Sequence, residues 1–240
     1  FEAYLWGAAG QLPDESRIFG HEYAPGITAG DDIFTVMSSD IFRGSAFALG
    51  YVNPDNLRGM NVWSDMYKVI RKANLMLARM DECQDMTALD RRNYTGYIHF
   101  LRGYAYYHIL MTCGPAILVG DEIFESNLDG PAYNTYRATY DETVEYICSE
   151  LETAAAYLPL KASIAQFERP TKGAAYALIA RLRLHAASPL FNGTSTARLY
   201  FGNWKRTYDK EYYVNQNYSE EKWALAAAAC KRVIDMNVYE

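Results

Sequence analysis

The chain has 240 residues, half of them hydrophobic and 22% charged, enough apolar surface for one large domain or two small ones. Its formal charge of −6 argues against a basic face for a phosphate backbone and against docking on an anionic membrane. Aromatics are abundant, with 21 Tyr, 10 Phe and 4 Trp; most must serve as core, leaving a few to stack on sugars or contact a partner.

Residues 1–30 mix Gly with aromatics and show little regular pattern beyond a short helix near the start. Residues 31–60 hold a short apolar stretch, DDIFTVMSSDIF, and then a loop with Asn53, Pro54, Asp55 and Asn56. The first clear element spans residues 61–81: Asn61 is placed to cap it, and Trp63, Tyr67, Ile70, Asn74, Leu77 and Met80 recur at helical spacing. Thr87 or Asp90 starts a second helix over residues 88–112, with Tyr94, Ile98, Leu101, Ala105, Ile109 and Thr112 on one face and Gly114-Pro115 as its stop. The short polar link between these two helices predicts antiparallel packing. Residues 115–138 read as a loop whose apolar run, Ala116 to Val119, crosses the core or its edge.

Thr139 or Asp141 opens a third helix over residues 140–157, ended by Pro159. Thr171 caps a fourth over 171–187, broken by Ser188-Pro189. A long polar and aromatic loop over 189–218 follows. Ser219 then opens a fifth helix over 219–236 with an incomplete capping box, because Lys222 stands where an acid or amide is needed. Trp223, Ala226, Ala227, Cys230, Val233 and Ile234 give that helix a face rich in small residues. Gly96, Leu101 and His108 are echoed at the same offset by Gly173, Leu178 and His185, as stacked helical hairpins would require. The fold class expected is all-α: tetratricopeptide-like helical hairpins from about residue 61 to 240, with long inserted loops.

Cys83, Cys113, Cys148 and Cys230 form no CxxC pair, so neither a zinc nor a redox motif is present, and the last three read as small core residues. The chain begins at Phe1 without a signal peptide, and it has no apolar run of about 18 residues to span a bilayer. It is expected to be a fragment of something longer.

Five segments in order resemble the SusD/RagB family of Bacteroidetes: WSDMYKVIRKANLML from Trp63, FLRGYAYYHIL from Phe100 with Gly114-Pro115 after it, TYDETVEYICSELETAAAYLP from Thr139, RPTKGAAYALIARLRLHAASPLFNG from Arg169, and KWALAAAACKRVID from Lys222. The resemblance covers about residues 30–240. It implies a SusD-like domain of which this chain is the N-terminal part, the C-terminal half being absent. It implies non-catalytic capture of an oligosaccharide or polysaccharide fragment, or in some members a peptide. It further implies an outer-membrane lipoprotein facing outward, tied by an N-terminal lipid anchor not present in this chain, with a SusC-like TonB-dependent transporter as partner and no cofactor.

Sugar rings present a C–H face to aromatic planes and hydroxyls to Asp, Asn or Arg at the rim. The stretch 31–61 has that mixture in Asp31, Asp32, Asp40, Arg43, Phe47, Tyr51, Asn53, Asn56 and Asn61. The resemblance points the same way, since loops before the Trp…Tyr…Ala-Asn helix contribute ligand contacts in the family. The loop with Phe201, Trp204, Tyr208, Tyr212 and Tyr213 is the runner-up, read first as an ordered surface loop or a transporter contact. Arg102, Arg169, Lys172 and Arg181 read as structural, with Asp65 or Glu150 as partners for Arg102.

Two other functional classes stay open. A helical-repeat module that binds protein or peptide predicts a groove between hairpins with a basic or apolar stripe. An all-helical carbohydrate-active enzyme predicts two carboxylates about 5–9 Å apart in a cleft. The loop acids available for that are Asp31, Asp32, Asp40, Asp55, Glu122 and Glu125. His21, His99, His108 and His185 contain no i,i+4 metal pair, and no Gly-x-Ser-x-Gly or phosphate loop occurs.

Overall fold

A computed structural model describes residues 1–14, 44–53, 55–57, 61–125, 130 and 135–239. Among them are eight α-helices and two isolated β-bridges: α1 (Glu2–Ala9), α2 (Ser45–Ala48), α3 (Trp63–Arg79), α4 (Ala88–Cys113), α5 (Tyr140–Tyr157), α6 (Lys172–Ala187), α7 (Ser195–Phe201) and α8 (Glu220–Asp235). Single 3₁₀ turns follow α3 at Met80–Glu82 and precede α6 at Ile164–Gln166. None of the described helices is long and apolar enough to cross a membrane.

The helix starts follow their caps. Thr87 accepts from Asp90 N at 3.1 Å while Asp90 accepts from Thr87 N at 3.3 Å, a complete capping box. Thr139 and Glu142 repeat it at α5 with bonds of 3.1 and 2.6 Å. Thr171 caps α6 through Ala174 N. Ser219 makes no side-chain cap, and Lys222 turns instead to Asp141 at 2.6 Å.

Successive helices pack antiparallel, as paired residues show. Asn74 meets Arg102 and Met80 meets Thr95 across α3 and α4. Arg102 meets Glu150 and Tyr106 meets Tyr146 across α4 and α5. Tyr140 meets His185 and Glu145 meets Arg183 across α5 and α6. Tyr176 meets Arg232 across α6 and α8. Each helix touches mainly its neighbours, the arrangement of a helical solenoid. This is the all-α, tetratricopeptide-like hairpin fold.

The spaced glycines have a packing role. A Cβ on Gly96 would lie 3.0 Å from Leu158 N, and one on Gly103 would lie 3.2 Å from Glu150 Cβ, so α4 and α5 touch closely at both. Gly173 does for α6 what Gly96 does for α4: its bare Cα faces the chain leaving the next helix, here at Tyr239. The sequence echo thus marks two equivalent hairpins, α4/α5 and α6/α8.

The packing departs in places from what residue type and spacing suggest. Leu101, Ile147 and Leu178 are buried, but Trp63 and Tyr67 are only half-buried. The inward face of α3 is centred on Met66, Val69, Ile70, Ala73 and Met76, because the two aromatics sit at its edge, where their polar parts reach other groups. The 189–218 loop contains α7, capped by Thr194. Cys230 is exposed and Cys113 half-buried; of the three read as core, only Cys148 is buried. On α8 only Ala226 is buried, so most of its small-residue face is open among the described residues.

Candidate functional site

The segment before α3 is partly described. Asp31, Asp32, Asp40 and Arg43 lie outside the described residues. The single turn α2 is followed by Gly50, whose φ of +71° lets the chain reverse, with Tyr51 N bonding Ala46 O at 2.8 Å and Gly50 N bonding Phe47 O at 3.0 Å. That closure leaves Phe47 44% and Tyr51 51% exposed. Asn53 Oδ1 accepts from Asp55 N at 3.0 Å and Asn56 N at 2.9 Å, so it fixes its own turn. Asn61 Oδ1 accepts from Trp63 N at 3.0 Å at the entry to α3. The described part therefore sorts into two exposed rings, Phe47 and Tyr51, and asparagines of which two use their carbonyl oxygens to hold the backbone.

Further along the chain, the segment 116–124 is strapped to the hairpins by side chains. Tyr67 Oη accepts from Ile117 N at 2.8 Å and donates to Ile117 O at 2.9 Å. Tyr106 Oη accepts from Val119 N at 3.1 Å, and Asn74 Nδ2 donates to Gly120 O and Glu122 O, both at 2.9 Å. Behind the strap Arg102, only 3% exposed, donates to both Glu150 oxygens at 2.8 and 2.7 Å, to Asn74 Oδ1 at 2.7 Å and to Asp121 at 2.6 Å. His99 Nδ1 adds a contact of 2.9 Å to Glu150. Burial alone would raise the Glu150 carboxyl; the His99 and Arg102 bonds outweigh it and hold the carboxyl below its usual range. Of the two carboxylates expected for Arg102, Glu150 is the partner, while Asp65 pairs with Lys68. The network has a structural role, as the sequence reading held for Arg102.

The runner-up loop is a stacked aromatic assembly. Tyr140, Phe191, Phe201, Trp204 and Tyr213 follow one another with centroid spacings of 4.3, 5.7, 6.1 and 4.7 Å. At its outer end Tyr208 meets Tyr136 at 4.3 Å. Arg206 is the hub, bonded to Glu142 at 3.1 Å, to Asp209 at 3.1 and 2.6 Å, and to Glu211. Sequence reasoning missed Arg206 and Tyr136; the Arg206, Asp209, Glu211 spacing was the available signal for a local charge cluster.

Two clefts among the described residues each hold about 1000 Å³. An apolar one of about 1090 Å³ lies among α1, α4 and α6, walled by Trp6, Tyr97, Phe100 and Leu178 with Arg169 and Arg181 at its edges. A polar one of about 1010 Å³ lies between α5 and residues 211–217. The acids at the polar cleft are engaged by cations: Asp141 by Lys222, Glu145 by Arg183, and Glu142 and Glu211 by Arg206. Asp55, Glu122 and Glu125 are exposed loop acids. Among the described residues no group of three or more His, Cys, Asp or Glu side chains converges as a metal site would need.

Solved structures share this architecture. The chain is similar to BT4246, with 23% identity and a TM-score of 0.76, over 98% of this chain and 39% of that one. It is similar to a SusD-like protein, BF3747, from Bacteroides fragilis NCTC 9343, with 20% identity and a TM-score of 0.66, over 100% and 38% of the two chains. A surface glycan-binding protein A from Bacteroides uniformis is 22% identical with a TM-score of 0.60, over 79% and 42%. The chain thus spans about two-fifths of the length of these relatives. No curated protein matches it. A family model described as SusD-like, starch-binding and associating with the outer membrane, matches residues 31–184. That match takes in the loop before α3, the strap and the helices α3 to α5, and by it the chain belongs to the SusD-like family.

Proposed function

We propose that the chain is the N-terminal part of a single SusD-like domain that captures oligosaccharide or polysaccharide fragments at the cell surface and leaves them intact. The whole protein then hands its ligand to a SusC-like TonB-dependent transporter, and a lipid anchor upstream of this chain holds it to the outer membrane. The observation that carries the reading is the family match over residues 31–184. The exposed Phe47 and Tyr51 rings, inside that span and held by a closed turn, supply stacking faces suited to sugar. The acids of the polar cleft are each engaged by a Lys or Arg, which suits a structural role better than the facing carboxyl pair that glycoside hydrolysis uses.

A second reading, capture of a peptide, is favoured by the apolar cleft with Arg169 and Arg181 at its edges, the kind of groove a helical-repeat binding module presents. Against it, the α3–α4 side that grips extended backbone is already filled by the chain's own strap.

The test is calorimetry of the full-length protein with starch-, laminarin- and mannan-derived oligosaccharides and with an extended peptide library, followed by product analysis of the same mixtures. A Kd in the micromolar range or weaker, about −8 kcal/mol or less favourable, with unaltered sugars supports capture. Time-dependent release of shorter sugars refutes the non-catalytic reading, and binding of peptides alone replaces the first reading with the second.

A further inference from the structure

We propose that a second carbohydrate surface, separate from the loop before α3, lies where residues 204–217 cover α5. The Tyr136 and Tyr208 rings form its stacking platform and the polar cleft beside them receives the neighbouring sugar units of a neutral hexose chain. The proposal rests on the glycan-capture reading for its ligand class and goes beyond it in location.

Three observations carry it. First, Tyr136 and Tyr208 are 63% and 50% exposed although their rings lie only 4.3 Å apart at a 42° tilt. They come from separate segments, and a pair of open rings so placed offers a broad apolar face to solvent. Second, the Tyr208 side of the platform is braced in advance. The buried Arg206 guanidinium lies 5.1 Å from the Tyr208 ring and binds Glu142, Asp209 and Glu211, while Arg206 N bonds Glu211 O at 2.8 Å. Rings already held in place lose little freedom when a ligand stacks on them. Third, the acids on that hub, Glu142 and Glu211, also line the polar cleft, so platform and cleft share a wall. Within the cleft lining, Tyr146 Oη and Gln216 Oε1 are buried with no hydrogen-bond partner among the described residues. Such groups call for a polar partner, and sugar hydroxyls both donate and accept.

The lining selects the ligand. Ser149, Asn215 and Asn217 offer hydroxyl and amide partners around Tyr146 and Tyr212. Asp141, Glu142, Glu145 and Glu211 outnumber the cations Lys222, Arg183 and Arg206 that engage them, so the cleft favours neutral sugars over uronic acids.

The test uses the full-length protein and three neutral probes, maltoheptaose, laminarihexaose and mannohexaose, with polygalacturonate as the anionic control. Calorimetry compares wild type with Tyr136→Ala/Tyr208→Ala, Tyr136→Phe/Tyr208→Phe and Phe47→Ala/Tyr51→Ala. The expected result is that at least one neutral probe binds and that Tyr136→Ala/Tyr208→Ala weakens it on the order of threefold to tenfold, or removes one class of site. The Phe variant should keep the binding and all variants should keep the melting temperature. Wild-type affinity retained in Tyr136→Ala/Tyr208→Ala overturns the second surface, and the glycan-capture reading then stands if Phe47→Ala/Tyr51→Ala is impaired. Tighter binding of polygalacturonate, lost in the Tyr136→Ala/Tyr208→Ala variant, overturns the neutral ligand class. Failure of every probe to bind wild type overturns both readings.

Discussion

Arg102 and Glu150 face each other across α4 and α5 through two hydrogen bonds, Nε to Oε2 at 2.8 Å and Nη2 to Oε1 at 2.7 Å, with both side chains almost fully buried. The third guanidinium nitrogen reaches Asn74, which in turn holds the strap at Gly120 and Glu122. One pair therefore links three helices to a loop. Arg102→Met removes the cation and leaves Glu150 with only His99, so it should destabilise by about 3–5 kcal/mol in a two-state denaturant melt. Arg102→Lys should recover little, since an ammonium cannot make the planar fork. A loss under about 1 kcal/mol for the Met variant would show that the pair orders the strap without stabilising the fold.

Acid should weaken the fold through His108. The side chain is buried on α4 between the Tyr104 and Tyr107 rings; burial, with Arg181 as a lesser cause, pushes its imidazole down to about 4 from a usual 6.5. Its folded pKa lies below its unfolded one, so the unfolded chain binds the proton first. The contribution is fully present above pH 6.5 and is lost as pH falls toward about 4. It should reach about 3 kcal/mol. Denaturant melts at several pH values should show a flatter acid dependence for His108→Gln than for wild type. An equal slope in both would assign the acid sensitivity to carboxylates such as Glu150.

Two glycines separate backbone conformation from crowding. Gly50 has φ +71° and open space where a Cβ would stand, whereas Gly193 has φ +58° and would drive a Cβ into the backbone at Asn217 and Tyr218. Gly50→Ala should therefore cost only the left-handed strain, about 1–2 kcal/mol. Gly193→Ala adds a clash with backbone that cannot rotate away, so its melting temperature should fall clearly further. Equal losses would mean that the 215–218 loop yields freely.

Most of the helical framework was legible because its signals are local. Thr87, Thr139 and Thr171 are caps with apolar periodicity behind them, and Gly114, Pro159 and Pro189 are stops, so these helix ends fall within a residue or two of expectation. What pattern could not fix was which edge of α3 faces inward. Trp63 and Tyr67 score as core by type, yet each serves at a boundary, Trp63 under the Arg137 guanidinium and Tyr67 through its hydroxyl. α7 was missed because its seven residues carry only one buried side chain. The strap was legible as an apolar run crossing the core edge but not in its bonding, since Tyr67, Asn74 and Tyr106 satisfy its backbone from positions distant in sequence. The same non-locality hid the Tyr136 and Tyr208 pairing.

The loop before α3 allows stacking to be separated from turn formation. Phe47 and Tyr51 are held by backbone bonds, Tyr51 N to Ala46 O and Gly50 N to Phe47 O, and their rings project into solvent. Truncating both to Ala removes the stacking faces and leaves those bonds in place. Glycan affinity should fall on the order of threefold to tenfold with little change in melting temperature. Asn53→Ala should behave differently. Its Oδ1 holds Asp55 N and shares Asn56 N with the Asn53 carbonyl, so its loss loosens the turn and costs about 0.5–1.5 kcal/mol locally. That loosening should appear as faster amide exchange at Asp55, whose N–H loses its acceptor, with a smaller fall in affinity than the ring variant shows. Isothermal titration and hydrogen exchange on the same three proteins decide the matter. If the ring variant binds like wild type while Asn53→Ala does not, the polar turn carries recognition and the rings do not.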